Sequence, residues 1–401
     1  MFEPTLAAAR ARITAVNPAA YARSRNALDG AVTRLSPYIT HGFVSLPEVL
    51  AGVAANHRVD AQHKFVFELG WRAYFRHVWQ HRGDGILRSL HAGPLPEATY
   101  EAVLPLDIRQ ARTGLPVIDQ AVRTLYATGY LHNHARMWLA SYMVHLRKVH
   151  WRAGADWLLG HLLDGDLASN HLSWQWVAGT GSHKPYLFNA DNVARYAPSH
   201  WHSPGSVIDT SYEALEALAR QPEAVRSHAV GQAAEGVDEP LLSSRPPERS
   251  HAPRPQDVAG RDVWLVHPWA LGDAPADLPE GCMLLGWWPT ELHAAWPWSP
   301  RRWAFVGERL SALAPVQWRA TSVELTDGLA TARSVHTLAH PQVAAVLPAC
   351  VQQRVPPDLF PDVDRLCPSF SSWWNRCTKG VKHLSDLPGM QALPAPLFTP
   401  L

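Results

Sequence analysis

Cysteine is scarce in this chain of 401 residues, and the four that occur, Cys282, Cys350, Cys367 and Cys377, all fall late and show no CxxC pair. That scarcity argues against a zinc or iron–sulfur centre, although the last three could meet in space; four free, buried thiols and no bound metal are expected. Charge is also thin. Asp, Glu, Lys and Arg make up 18% of the residues and leave a net charge of +1, a weak electrostatic footprint for duplex DNA, which usually attracts clustered cations. The balance is uneven, with 21 Lys and Arg against 17 Asp and Glu in residues 1–220 and 15 against 18 in the remainder. Only the first half is mildly basic. No apolar run is long enough to span a bilayer, and residues 1–15 are mixed and charged rather than secretory in pattern, which makes the cytoplasm the expected compartment and a membrane no partner. Neither GxGxxG nor a phosphate-loop signature is present.

What is present is 47% hydrophobic content with 18 tryptophans, enough for two or three domains. Residues 1–220 read as helices divided by short turns at Pro, Gly and Asn. Residues 221–258, which include LLSSRPPERSHAPRPQ, lack an apolar period and read as a Pro-rich linker. Residues 259–401 alternate short apolar runs such as DVWLVHPWAL and CMLLGWW with helical stretches, as in a small Trp-rich α/β domain. The expected fold class is mainly α, a helical domain followed by a small α/β domain.

The residues that carry chemistry concentrate in 113–181, where TGLPVIDQAVRTL, ATGYLHNHARMWLASYMV, DWLLGHLLDGDLASNHLSWQW and AGTG follow one another. Asp164 and Asp166 flank Gly165 where the apolar segment 157–163 gives way to a turn, so two carboxylates need a donor. Arg136 is the candidate, since a guanidinium can hold a carboxylate through two parallel hydrogen bonds and stays charged when buried. Upstream, Tyr21 and Arg25 precede GAVTRLSPY at 30–38, whose small and hydroxyl residues open a helix where free N–H groups and the helix dipole suit a pyrophosphate. A third segment, FVFELGWRAYFRHVWQH at 65–81, repeats Phe65, Leu69 and Phe75 or Val78 at core spacing and leaves Glu68, Trp71 and Arg72 to be explained. Taken singly, each motif is more often a structural ion pair, a capped helix or packed aromatics.

In this order, the residues closely resemble the flavin-cradling core of the DNA photolyase and cryptochrome family over roughly the first 215 residues. The resemblance implies bound FAD. Its diphosphate would meet Tyr21, Thr33, Arg34, Leu35 and Ser36, with Val32 where the family has Thr. Phe65, Glu68, Arg72, Asn133, Arg136, Asp164, Asp166 and Asn170 complete the implied cofactor set: Arg136 pairs with Asp164 beside the ring, Asp166 accepts from the ring imide, and Asn170 faces the nitrogen protonated on reduction. The same resemblance gives Glu68, Trp71, Asn133, Met137 and Trp176 catalytic places. Glu68 would bond damaged pyrimidines and Trp71 stack on them opposite Trp176, while Asn133 with Met137 matches the subgroup repairing cyclobutane dimers. The subgroup for six-four photoproducts would place histidines there.

Trp174 and Trp151 fit the proximal and middle members of the family's electron-transfer chain. The distal tryptophan is absent from residues 96–100, and Tyr100 and Trp157 are the aromatic candidates for its place. Arg25, Arg72 and His134 fall on the implied DNA side, His134 where related photolyases carry Arg; Arg76, Arg147, Lys148, Arg152 and Lys184 are further candidate phosphate contacts. UV-damaged DNA is the implied partner, and the weak positive charge together with the cost of opening a stacked base makes single-stranded or distorted DNA the expected preference. The family usually carries an α/β antenna domain ahead of the helical one, whereas here the α/β segment follows, as a rearranged counterpart or an unrelated module. Its tryptophans, Trp287, Trp288, Trp296, Trp298, Trp373 and Trp374 among them, suit a core, a chromophore pocket or a surface for a protein partner. Three functions stay open: a light-dependent cyclobutane-dimer photolyase, a cryptochrome-like photoreceptor without repair, and a flavoprotein whose light chemistry has lapsed.

Overall fold

The computed structural model describes residues 2–225, 235–246 and 249–393. Five helices build the site: α1 (Ser36–Thr40), α2 (Lys64–Arg82), α3 (Asn133–Ser141), α4 (Trp151–His161) and α5 (Leu167–Ala178). Their ends follow from local chemistry. Asp166 caps α5 by accepting from the Ser169 amide at 2.8 Å, which satisfies one of the donors a helix start leaves free. The helix stops at Gly179, whose φ of 76° is the left-handed conformation glycine adopts without strain. Helices α4 and α5 pack closely because Gly154 has no side chain: a Cβ there would lie 2.3 Å from the Trp174 ring.

Downstream, β1 (Asp262–Val266), β2 (Met283–Pro289), β3 (Val316–Ala320), β4 (Ser334–Leu338) and β5 (Gln352–Arg354) form one sheet in the order β3-β2-β1-β4-β5. Every pairing is parallel, with Val263 opposite Met283 on one side and Val335 on the other. Unbroken apolar runs such as VWLV suit strands buried on both faces. Helix α6 (Pro300–Leu313) connects β2 to β3. The expected fold class is therefore what is found.

Where it is described, the segment read as a linker is docked. Ser243 and Trp298 exchange two backbone hydrogen bonds of 2.9 Å, His251 pairs with Gln317 and Arg319 at 3.0 and 2.8 Å, and the Glu239 carboxylate takes the Trp157 indole at 2.8 Å. Proline removes N–H donors, but it leaves carbonyls and neighbouring side chains free to bond; residues 226–234 and 247–248 of that span lie outside the described residues. Within 259–393, the described part of the segment read as an α/β domain, contacts also reach beyond the sheet. Helix α7 (Phe370–Cys377) crosses back onto α2, where a Cβ on Gly70 would come within 2.5 Å of the Trp374 ring. One buried apolar cluster joins Val49 and Phe65 of the helices to Trp287, Trp288, Trp298 and Trp318 of the sheet region and to Trp373 and Trp374.

The thiols are free as expected, but only Cys367 and Cys377 are buried, and Cys350 is exposed in the loop before β5. No described helix is long and apolar enough to cross a membrane. Among the described residues, no group of three or more His, Cys, Asp or Glu is arranged to hold a metal ion.

Candidate functional site

A cleft of about 210 Å³ lies among α2, α3, α4 and α5, and its lining includes Arg72, Asn133, Arg136, Met137, Asp164, Asp166, Asn170 and Trp174. Arg136 holds Asp164 differently from the expected pair of parallel bonds. One nitrogen, Nη2, reaches both carboxylate oxygens at 2.9 and 2.7 Å, because Nε is turned to the Leu131 carbonyl at 2.9 Å. The Asp164 side chain is only 3% exposed, so this contact compensates a buried charge. Asp166 faces Arg72 at 3.6 Å, and Arg72 is itself steered by a hydrogen bond to the Thr40 hydroxyl at 2.5 Å. Burial alone would raise the Asp166 carboxyl, but Arg72, Ser169 and Arg76 outweigh it and hold the group below its usual range. It is an ionised acceptor at neutral pH.

Asn170 donates to the Ala155 carbonyl at 2.8 Å, which leaves its Oδ1 to the cleft. Asn133 and Met137 meet one turn apart on α3, amide to sulfur at 3.3 Å. Between these polar groups, Phe75, Ala140, Leu158 and Val177 supply apolar walls.

Other expected positions lie elsewhere. Of the five residues expected at the diphosphate, Tyr21, Thr33, Arg34, Leu35 and Ser36, only Ser36 borders the cleft. The helix it opens has five residues, no side-chain cap at Leu35, and few peptide dipoles to sum. Arg34 takes a φ of 52°, and the Thr33 hydroxyl accepts from the Leu35 amide at 3.3 Å. Tyr21 stands edge-on to the buried Phe65 at 5.6 Å, its phenol kept neutral by burial and then by Glu68. Glu68 is tied to Lys64 at 2.9 Å and Arg25 at 3.3 Å and does not line the cleft.

The expected lesion walls are not assembled. Trp71 stacks on Phe370 of α7 with ring centres 4.0 Å apart and planes within 10°, and Trp176 is 39% exposed beside Tyr186 at 5.6 Å. Neither borders the cleft. A helix from the far end of the chain covers the Trp71 face, a contact with no local signature.

Most candidate DNA contacts have partners inside the protein. Arg147 forks onto Asp107 at 2.8 and 3.0 Å. Lys148 is buried, donating to the carbonyls of His145, Leu218 and Ala219 at 2.6, 2.8 and 3.2 Å. Arg152 bonds Asp156 at 2.6 Å. His134 packs between Trp138 and Tyr196, and burial followed by the Arg25 charge lowers its pKa, so it is uncharged at neutral pH. On the redox side, Trp174 and Trp151 are buried, the latter bonded to the Ser89 hydroxyl at 3.0 Å. Tyr100 approaches Trp151 through His150, with ring centres 6.3 and 5.7 Å apart, whereas Trp157 turns to Glu239.

An ionised acceptor, a fixed guanidinium–carboxylate pair and an amide oxygen around one apolar slot fit a flat ring with a polar imide edge. Such a lining suits a flavin-binding domain built of helices. Residues 65–208 match the family model for the FAD binding domain of DNA photolyase. The deoxyribodipyrimidine photo-lyase of Streptomyces griseus is 36% identical over 155 residues, covering 38% of this chain and 33% of that protein. The cryptochrome DASH of Gloeobacter violaceus is 30% identical over 169 residues, 40% of this chain and 34% of that one. Among solved structures, the Synechocystis sp. PCC6803 cryptochrome aligns over 55% of this chain and 52% of its own, with 25% identity and a TM-score of 0.45. Residues 65–208 are thus an FAD-binding domain of the DNA photolyase and cryptochrome family. The chain spans about a third of the length of the two curated relatives named.

Proposed function

We propose that this protein is a light-dependent photolyase that repairs cyclobutane pyrimidine dimers in DNA. The observation that carries the reading is that Asn133 and Met137, the pair matching the dimer-repairing subgroup, line the same cleft as Arg136, Asp164, Asp166, Asn170 and Trp174. Held by Arg136, Asp164, Asp166 and Asn170, FAD in its reduced form would, on absorbing blue or near-ultraviolet light, lend the dimer an electron that returns to the flavin once the cyclobutane ring has opened. The chain's own residues hold and shape the site. Asp166 and Asn170 offer acceptors, Arg136 and Asp164 cancel each other's charge, and the buried Trp174 excludes water from one wall.

A second reading, a cryptochrome-like photoreceptor without repair, is favoured by the Trp71 and Phe370 stack, which covers one face of the indole expected to hold a flipped pyrimidine. Internal pairing of Arg147, Lys148 and Arg152 also weakens any grip on a duplex. We therefore expect single-stranded or distorted DNA to be the preferred substrate, because opening a stacked base costs least there. Illuminating a dimer-containing single strand with chemically reduced protein tests the choice. Restored thymines support the photolyase, and neither binding nor repair at low salt rejects it in favour of the receptor.

A further inference from the structure

Arg302, on α6 of the sheet region, is 1% exposed, and its guanidinium reaches into the turn between α4 and α5. Nη1 donates to the Leu159 carbonyl at 3.1 Å and Nη2 to the Gly165 carbonyl at 2.7 Å. Both acceptors need it. Leu159 sits in the last turn of α4, where carbonyls lose their helical partners, and the amide that would have served it, from Leu163, goes to Gly129 at 2.8 Å. Gly165 is the residue between Asp164 and Asp166, and its missing side chain admits the guanidinium: a Cβ would lie 2.4 Å from Arg302 Nη1 and 2.6 Å from the Leu159 oxygen. Trp298 covers the guanidinium at 4.2 Å, and the Ser299 amide, bonded to the Gly160 carbonyl at 2.9 Å, pins the start of α6 to the same turn.

We propose that Arg302 is a positioning residue for the flavin site. It fixes the peptide between the two carboxylates, and so their orientation, and it keeps a permanent positive charge behind them that favours electron gain in the cleft. The inference rests on the flavin ring lying against the Asp164–Asp166 turn. Burial outweighs the opposing pull of Asp164 and Asp166 and brings the guanidinium down to about 9, so it remains a cation at neutral pH. Through this contact the sheet region forms part of the cofactor site.

The test measures the FAD dissociation constant, the midpoint potential of bound FAD and the melting temperature of the FAD-free protein. R302M should weaken FAD at least tenfold and make the potential more negative. R302K, which keeps the charge but not the fork, should lose several-fold in affinity and hold the wild-type potential. Equal losses of melting temperature in both variants, with wild-type affinity and potential, would reduce Arg302 to a scaffold residue and overturn the proposal. D166N separates the two layers of argument. If it changes neither affinity nor potential, the ring is not at this turn and the reading beneath fails; if it changes them while R302M does not, only the role of Arg302 fails. Should R302M not fold, G165A, which displaces the guanidinium while retaining its charge, must weaken FAD with little change in potential for the proposal to stand.

Discussion

Replacing Arg136 by Ala removes the counter-charge of a carboxylate that is 3% exposed, its partner being 24% exposed. Breaking a buried pair from one side costs about 3–5 kcal/mol, because the remaining charge keeps its desolvation penalty and loses its compensation. Here the lower end applies, about 3 kcal/mol, since Arg302 also acts on Asp164 and a fixed cation nearby softens the loss. That is a drop of over a hundredfold in the folding equilibrium. Chemical denaturation of FAD-free protein, followed by tryptophan fluorescence, measures it directly, and a parallel titration should show weaker FAD binding. The reasoning makes a sharper demand on the double variant R136A/D164N. A neutral amide needs no counter-charge, so the second change should restore most of the stability lost to the first, a coupling of about 2 kcal/mol in a double-mutant cycle. If R136A/D164N is as unstable as R136A alone, the stranded-charge argument is wrong and the arginine acts through packing.

Trp174→Phe should abolish most light-driven reduction of bound FAD by an external thiol while leaving FAD bound, because Phe keeps an apolar ring on that wall of the cleft but is harder to oxidise; unchanged absorbance bleaching would rule Trp174 out as the donor. Phe370→Ala should free the Trp71 face and tighten binding of a dimer-containing single strand about tenfold, the scale of one base–aromatic stack, and Trp71→Ala in that background should cancel the gain. His134→Arg should steepen the salt dependence of DNA binding by about one phosphate contact, as read from titrations at several ionic strengths. Glu239 is a pH probe of the docked strap: burial would raise its carboxyl, but hydrogen bonds from His161, Arg109 and Trp157 hold it at about 2. Its stabilisation is full above the unfolded value near 4.5 and fades as pH falls toward 2, so Glu239→Gln should lose that acid dependence in denaturation experiments at pH 5 and 3.

The Asp164, Asp166, Arg136, Asn170 and Trp174 constellation was legible because its members sit on consecutive elements, where helix caps and short turns fix their relations. Asn133 and Met137, one turn apart on α3, were legible for the same reason. Trp71 was not. Periodicity in 65–81 shows that α2 buries a face, but not that Phe370 and Trp374 will cover part of it. Arg302 gave no signal either, since its two acceptors are carbonyls that every sequence possesses, the nearer in sequence 137 residues away. The docking of the proline-rich strap was not legible because composition reports which N–H groups are missing, while docking depends on Ser243, His251 and Glu239 finding partners in the sheet region and the helices.

The return of α7 onto α2 also sets a timetable for folding. The Tyr74 hydroxyl and the Cys367 carbonyl that accepts from it are 293 residues apart, an interval of roughly 15–60 s at the usual pace of synthesis. For that time Phe67, Trp71 and Tyr74 are on a finished helix without the rings that cover them, and the Leu159 and Gly165 carbonyls wait for Arg302. Exposed apolar surface of this kind is what chaperones bind and what drives chains together. The nascent protein is therefore most vulnerable to aggregation after its flavin half has been made, and stalled translation between the strap and α7 should be more damaging than stalling before α2.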